Sequence, residues 1–298
     1  MIEWRKKINR GVFMAEQFII SGFSDEIDES IDIQFKHLNS LGIEYFEPRG
    51  VDGKNISELS QQEVEKLAGK MNEYGIKVSS IGSPVGKILI TDDFCEHFEL
   101  FKKVVATAKA IDSKYIRIFS FYIPDGKYDE YRSEVISRLK KMVEYAENEG
   151  VVLLHENEKG IYGDVASRCL DIFNEIKSPC FAGVFDPANF VQCGQKVYPD
   201  AFDMLKPYIK YMHIKDALEN HEVVPAGYGI GNVEEIIKSL KTDGWSGFLS
   251  LEPHLGSFSG LDNLEMGDDM KGLEKSSAEK FTLAYNALKE ILNKLRKD

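Results

Sequence analysis

Eight short apolar runs recur along this chain of 298 residues, each followed by turn residues and an amphipathic stretch. No other feature narrows the available folds as much. The strand-like runs are Phe18–Gly22, Ile43–Glu47, Lys77–Gly82, Tyr115–Phe119, Val151–Glu156, Phe181–Asp186, Ile209–His213 and Gly247–Glu252. Runs this short and this apolar read as strands buried on both faces, as in a parallel sheet. The segments between them follow the helical period. After Tyr128, one face carries Tyr131, Val135, Leu139, Met142, Val143 and Ala146; the last stretch does the same with Phe281, Ala284, Tyr285, Leu288, Ile291, Leu292 and Leu295. Several helical stretches end in glycine just before the next run, at Gly42, Gly75, Gly150 and Gly244, where a left-handed cap costs little. Eight strand–helix units without a low-complexity linker predict an α/β fold, a (β/α)8 TIM barrel in a single domain. A doubly wound open sheet is the alternative, but no GxGxxG follows the first run.

Residues 1–13, ahead of a second methionine at Met14, read as an N-terminal extension, with the barrel domain at 14–298. Hydrophobic residues make up 43% of the chain, enough for a substantial core. The formal charge of -12 argues against a nucleic-acid partner, which would need a basic face, while leaving room for a local basic pocket. Cys95, Cys169, Cys180 and Cys193 form no CxxC pair, so reduced thiols and a cytoplasmic location are expected. No apolar run approaches a membrane span, and the N-terminus has no continuous apolar signal region, so no membrane partner is expected. The glycine-rich stretch from Pro253 to about Ser277 is read either as a cover for the barrel mouth or as a plain surface excursion.

Four runs in the second half each end in a side chain able to bind a metal: VLLHE at Glu156, AGVFD at Asp186, IKYMH at His213 and FLSLE at Glu252. They lie 30, 27 and 39 residues apart, roughly one strand–helix unit per step. In a barrel the C-terminal ends of the strands face one mouth, so the four converge there. Two Glu, one Asp and one His make a hard, mostly oxygen site suited to one divalent cation, Mn²⁺, Mg²⁺, Co²⁺ or Zn²⁺. Any one of these residues is readily a solvated strand-end side chain; four at consecutive strand ends argue for a shared purpose. Glu158, two residues past the first ligand, is a further candidate acid or base. Arg49, Lys87, Lys159 and Lys215 fall near strand ends and suit a phosphate or carboxylate, with Lys87 and Arg49 the best placed. Asp216, grouped with the substrate-side candidates, is read either as orienting His213 or a group behind it, or as an ordinary helix-starting residue. Phe23, Tyr122 and Phe190 are candidate apolar walls, or core.

The segments HENEKGIYGD, VFDPANF, YMHIKDA, VPAGYGIGN and LSLEPH, with SGFSDEI, YFEPRG and SSIGSPVGK earlier, resemble the sugar phosphate isomerase/epimerase family. These are the xylose-isomerase-like barrels that also include endonuclease IV and inosose dehydratase. The resemblance runs from Phe18 to Leu292. It implies that Glu156, Asp186, His213 and Glu252 bind one divalent cation, and that Glu156 and Glu252 double as acid/base groups. The expected activity is isomerisation or epimerisation of a small sugar, sugar phosphate or polyol, by proton removal next to a carbonyl through an enediolate. A lyase resembling inosose dehydratase is the alternative, as is a barrel that binds sugar without turnover. Two departures bear on the substrate. Asn189 stands where ketose epimerases of the group carry a histidine that contacts substrate, and it can donate a hydrogen bond but cannot shuttle a proton. No arginine follows His213 in the run IKDALENHEV. The extra histidines of endonuclease IV are replaced here by Glu47, Ser80 and Asn189, against a role in DNA repair. Relatives of this kind include dimers and tetramers, so a homo-oligomer is left open.

Overall fold

The computed structural model describes residues 17–258 and 274–297. The extension expected at residues 1–13 lies outside the described residues, as does the middle of the Pro253–Ser277 stretch. Eight staves follow one another along the chain: β1 (Phe18–Gly22), β2 (Tyr45–Phe46), β3 (Lys77–Val78), β4 (Tyr115–Ile118), β5 (Val152–Glu156), β6 (Phe181–Phe185), β7 (Ile209–Ile214) and β8 (Gly247–Leu251). Parallel ladders join β4 to β5, β5 to β6, β6 to β7, β7 to β8 and β8 to β1. A separate parallel ladder joins β2 to β3.

The two remaining joints are shorter. One hydrogen bond links the end of β1 to Glu47, and a reciprocal pair links Ile81, past the end of β3, to β4, with the Ile81 N–H donating to the Tyr115 carbonyl at 2.9 Å. Glu47 N–H donates to the Gly22 carbonyl at 2.9 Å, and Arg117 N–H donates to the Ile81 carbonyl at 2.9 Å. The ring is therefore closed, as expected for a TIM barrel. β2 and β3 are shorter than the apolar runs that contain them. Pro48 follows Glu47 directly and has no N–H to extend the β2 ladder.

Helices pack outside the staves: α1 (Ile31–Ser40), α2 (Gln61–Tyr74), α3 (Phe94–Ala110), α4 (Tyr128–Glu149) and α5 (Ala166–Glu175) in the first five connections. Two short helices, α6 (Pro187–Gln192) and α7 (Phe202–Leu205), share the sixth, and α8 (Val233–Thr242) and α9 (Ala278–Leu295) complete the layer. The apolar stripe expected on α4 is buried at Val135, Leu139, Met142, Val143 and Ala146. Gly42, Gly75, Gly150 and Gly244 all take positive φ, between 69° and 74°, with open space where a Cβ would go. Glycine is used there for its backbone, not for its size.

Strand alternation separates two cores. Leu153, Phe185, Met212, Ile214, Leu249 and Leu251 face outward into the helix layer. Leu154, Val184 and Tyr211 face inward, with Tyr115, Val152, Ala182 and Phe248 packed against them. Continuing the inward parity toward the C-terminal ends brings Arg117, Glu156, Asp186, His213 and Glu252 to the top of the barrel. The fold thus fills its lower lumen with apolar side chains and its upper lumen with charge. Among the described residues, no helix is long and apolar enough to cross a membrane.

The loop after β3 is held from outside the barrel. His97 Nε2, on α3, accepts the Gly86 N–H at 2.8 Å. Gly86 sits at φ 91°, and a Cβ there would overlap the Phe119 carbonyl. Burial, helped by the charge of Arg138, pushes His97 down to about 4. The unfolded chain then binds more protons than the folded one between about pH 6.5 and pH 4. His97 therefore supports stability fully above about pH 6.5, and that support is lost as the pH falls toward 4, at up to about 1.4 kcal/mol per unit. Urea unfolding at about pH 7 and about pH 4.5 should show a smaller acid loss in His97→Gln than in the parent. An equal loss would remove His97 from the account.

Candidate metal centre

Glu156 closes β5, Asp186 follows β6, His213 lies in β7 and Glu252 follows β8. One ligand atom from each falls within 4.8 Å of all the others. None of the four residues is more than 3% exposed. Their approach is set locally. Asp186 is followed by Pro187, which ends the strand and opens α6, and Asp186 Oδ1 caps that helix by accepting the Asn189 N–H at 2.9 Å. Asn157 ties the neighbouring strand end in place: its Nδ2 donates to the Asp186 carbonyl at 2.9 Å and its Oδ1 accepts the Asp186 N–H at 3.0 Å.

His213 has two different faces. Its Nδ1 lies 2.8 Å from Glu156 Oε1, 3.3 Å from Glu252 Oε2 and 4.0 Å from Asp186 Oδ2. Its Nε2 lies 3.3 Å from Glu47 Oε2. Glu47 Oε2 also accepts from the Tyr211 hydroxyl at 2.8 Å and the Ser250 hydroxyl at 2.7 Å. Glu47 therefore fixes the imidazole from behind while Nδ1 faces the carboxylates, the outer partner that a ligating histidine requires. Burial works against charge on His213, but Glu156, Glu47 and Glu252 overcome it and hold the ring well above the ordinary histidine range. A metal would have to displace that proton on binding.

The carboxylates are not equivalent. Burial pushes Asp186 up to about 7, against the attraction of Lys215. Burial also raises Glu252, but Lys215, His254 and His213 outweigh it and leave the group well below the usual carboxylate range. Glu156 is lowered too, because His213 and Arg117 outweigh burial and the repulsion of Glu252. Asp186 Oδ2 accepts no hydrogen bond among the described residues. The Lys215 ammonium is 3.1 Å from that oxygen, close enough for charge attraction but not aligned to donate. A fully buried carboxylate oxygen without a donor, beside three further ligand-type groups, fits a divalent cation of the hard, oxygen-preferring kind.

Three cations press on this cluster. Lys215 Nζ reaches Glu252 Oε2 at 2.9 Å. Arg117 Nη1 lies 3.2 Å from Glu156 Oε2 and 3.7 Å from Glu252 Oε1. Arg49 Nη1 lies 3.3 Å from Glu252 Oε1, and the same guanidinium is paired with Asp25 and Glu26. His254 joins this edge: its Nε2 is 3.3 Å from Glu252 Oε1, and its backbone N–H donates to Glu26 Oε2 at 2.7 Å.

The other residues singled out from sequence divide clearly. Asn189 Nδ2 donates to Glu156 Oε1 at 3.3 Å and to the Asn157 carbonyl at 2.9 Å, so it holds the candidate ligand itself. Glu158 pairs with Lys87 at 3.1 Å, and Lys87 Nζ sits 4.5 Å from the centre of the Phe119 ring. Lys159 follows in the chain, its N–H donating to Glu158 Oε1 at 2.9 Å. Asp216 turns away from His213. Its carboxylate accepts the N–H groups of Ala217, Gly227, Gly229 and Gly231 at 2.7 to 3.1 Å, fixing the loop before α8. It neither orients His213 nor starts a helix. Phe23 lies edge-on to His213, with centroids 5.1 Å apart, and forms a wall of the centre. Tyr122 packs with Phe119 and Ile161, and Phe190 belongs to the main core.

Sequence reasoning passed over Arg117, Asn157 and His254, and took Glu47 only as a residue standing in place of a histidine. A charged residue inside the apolar run YIRIF was the available sign for Arg117, since a buried strand tolerates a guanidinium only opposite an anion. Glu47, at a strand end before Pro48, carried the same mark as Asp186 and Glu252. Losing Glu47 should weaken metal binding about 10- to 100-fold. Calorimetric titration of Mn²⁺ into Glu47→Ala checks this, with Glu47→Gln retaining more affinity. Unchanged affinity in both would mean that the carboxylate does not orient His213.

Fold and site together define a TIM barrel carrying a carboxylate–histidine centre at the C-terminal ends of its strands. The xylose isomerase-like TIM barrel family model matches residues 35–276, and the chain belongs to that family. No curated protein matches the chain. Among solved structures, the IOLI protein with a bound zinc atom superposes with a TM-score of 0.72 at 18% identity, covering 93% of this chain and 99% of that one. D-allulose 3-epimerase from Methylomonas sp., in complex with D-allulose, gives a TM-score of 0.70 at 16% identity, covering 94% and 98%. The probable 3-DHS dehydratase AsbF from Bacillus anthracis gives 0.65 at 18% identity, covering 89% and 98%. At these identities the likeness is one of fold.

Proposed function

We propose that this protein is a divalent-metal-dependent isomerase or epimerase of a small sugar, sugar phosphate or polyol, working by proton removal next to a carbonyl through an enediolate. The observation that carries this reading is the meeting of Glu156, Asp186, His213 and Glu252 within 4.8 Å at four successive strand ends. Family membership supports it, as do structural neighbours that include an epimerase in complex with its sugar and a barrel with zinc. These four residues would hold the ion. Bound there, a divalent cation supplies Lewis-acid polarisation of a carbonyl and stabilises negative charge developing on its oxygen.

The protein's own groups do the rest. Glu156 and Glu252 come from β5 and β8, three staves apart, and reach the mouth from different sides. Both are held below the usual carboxylate range, so both are ionised near neutral pH and able to accept a proton. One removes the proton from carbon and the other can return it from a different direction, as inversion of a carbon requires. Asn189 holds Glu156 Oε1 at 3.3 Å and keeps the base aimed. Phe23 and Phe119 are buried beside Arg117, each ring centre 4.9 Å from its guanidinium carbon.

Solvent exchange tests this. Incubation in D₂O with Mn²⁺ and a panel of ketoses, aldoses and inososes should place deuterium on a carbon next to the carbonyl of one of them, with mass otherwise conserved. Loss of water with an ultraviolet-absorbing product would assign the lyase reaction instead. Binding of a sugar without exchange at any carbon would leave a binding protein and end the enzyme reading.

A further inference from the structure

We propose, resting on the function just given, that the substrate carries an oxyanionic group, a carboxylate or phosphate, held by Arg117 and Lys215. We propose further that this group and the divalent ion bind cooperatively. The argument starts from two buried cations. Arg117 is 2% and Lys215 is 3% exposed. A buried cation must face an anion, and here the anions are the candidate ligands themselves: Arg117 faces Glu156 and Glu252, and Lys215 faces Asp186 and Glu252.

That pairing holds only while no ion competes for the same carboxylates. Once a divalent cation sits among Glu156, Asp186 and Glu252, it draws their charge to itself and repels the ammonium and guanidinium a few ångströms away. Both cations then need another partner, and both are too deep to find it in bulk water. An oxyanion on the substrate is the group that restores the balance. Arg49 differs, because Asp25 already engages two of its nitrogens at 2.8 and 3.1 Å.

The geometry of Arg117 points the same way. Its Nε finds no acceptor among the described residues, although the atom is buried. Its guanidinium carbon lies 4.9 Å from the ring centres of both Phe23 and Phe119. With aromatic rings this close, the N–H edge is left as the direction for recognition, and that edge matches carboxylate and phosphate oxygens. Lys215 adds a compact charge on a flexible stem that can turn from Asp186 to an incoming oxyanion.

Linkage makes the proposal measurable without knowing the natural substrate. Mn²⁺ is titrated calorimetrically into the wild-type protein alone and with D-glucitol, D-gluconate or D-glucitol 6-phosphate, after subtracting the heat of Mn²⁺ with each probe. Gluconate or the phosphate should raise Mn²⁺ affinity about tenfold, while neutral glucitol should not. Whichever anion does so names the group. In Arg117→Met and Lys215→Met, Mn²⁺ alone should bind severalfold tighter than in the wild type, because a repelling charge is gone, and the anion effect should shrink. Wild-type Mn²⁺ affinity that is the same with and without either anion would overturn the proposal while leaving the metal site standing. So would an anion effect that survives undiminished in both variants. No Mn²⁺ binding under any condition would instead overturn the functional reading on which the proposal rests.

Discussion

Replacing Asp186 and His213 together by alanine should abolish stoichiometric metal binding at temperatures where the barrel is folded. The purified wild-type protein, loaded with Mn²⁺, Co²⁺ or Zn²⁺, should carry about one ion per chain, because among the described residues one set of four ligand atoms converges within 4.8 Å. Loss of an outer-shell partner of a metal ligand typically lowers affinity about 10- to 100-fold. Loss of two direct ligands should exceed that. Asp186 contributes one oxygen to a helix cap and leaves the other without a donor, so its removal disturbs α6 as well as the centre. The cap accounts for about 1 kcal/mol, and leaving Lys215, Glu47 and Glu156 without these buried partners costs more. The double variant should therefore melt earlier, and its metal content is read well below its melting transition. Metal content by elemental analysis and melting by circular dichroism decide the matter. A double variant that keeps the full ion complement would remove these residues from the ligand set.

Glu252→Gln carries the second large effect. An acid/base group of this kind contributes about 10²- to 10⁴-fold to turnover, and the neutral amide cannot accept the proton. The amide oxygen still coordinates weakly, so part of the metal affinity should remain. The same substitution strands buried charge, since Lys215, Arg49 and His254 all face Glu252 within 3.3 Å. Removing one member of a buried ion pair costs about 3–5 kcal/mol, so the variant should also melt earlier. The two effects separate when exchange of substrate hydrogen with D₂O is followed well below the melting transition. Normal exchange there would show that Glu252 does not serve as a base. Slow exchange in a folded, metal-loaded variant would support the role.

Much of the candidate site could be read from sequence because its candidate ligands sit at positions defined by local pattern. Each of Glu156, Asp186, His213 and Glu252 stands at or next to the end of a short apolar run, and the parity of a strand decides which face each occupies. In two cases a proline marks the end of the strand. The outer partners were not legible in the same way. Arg49 and Glu252 are 203 positions apart, and Tyr211 and Glu47 are 164 apart. Nothing in either local segment says that they meet. Asp216 shows the converse: three residues past His213 it has the spacing of an orienting group, but its carboxylate goes to the backbone of the following loop.

By itself the sequence determined the alternation of strands and helices, the glycine caps, and the four side chains that share the mouth of the barrel. Those features follow from repeats of two and 3.6 residues, which act within a few neighbours. Only the closed barrel decided that Glu47 stands behind His213, and that Arg117, Arg49 and Lys215 surround the carboxylates. Closure brings inward-facing residues from distant staves within contact distance, and desolvation there makes every charge depend on its partners across the lumen.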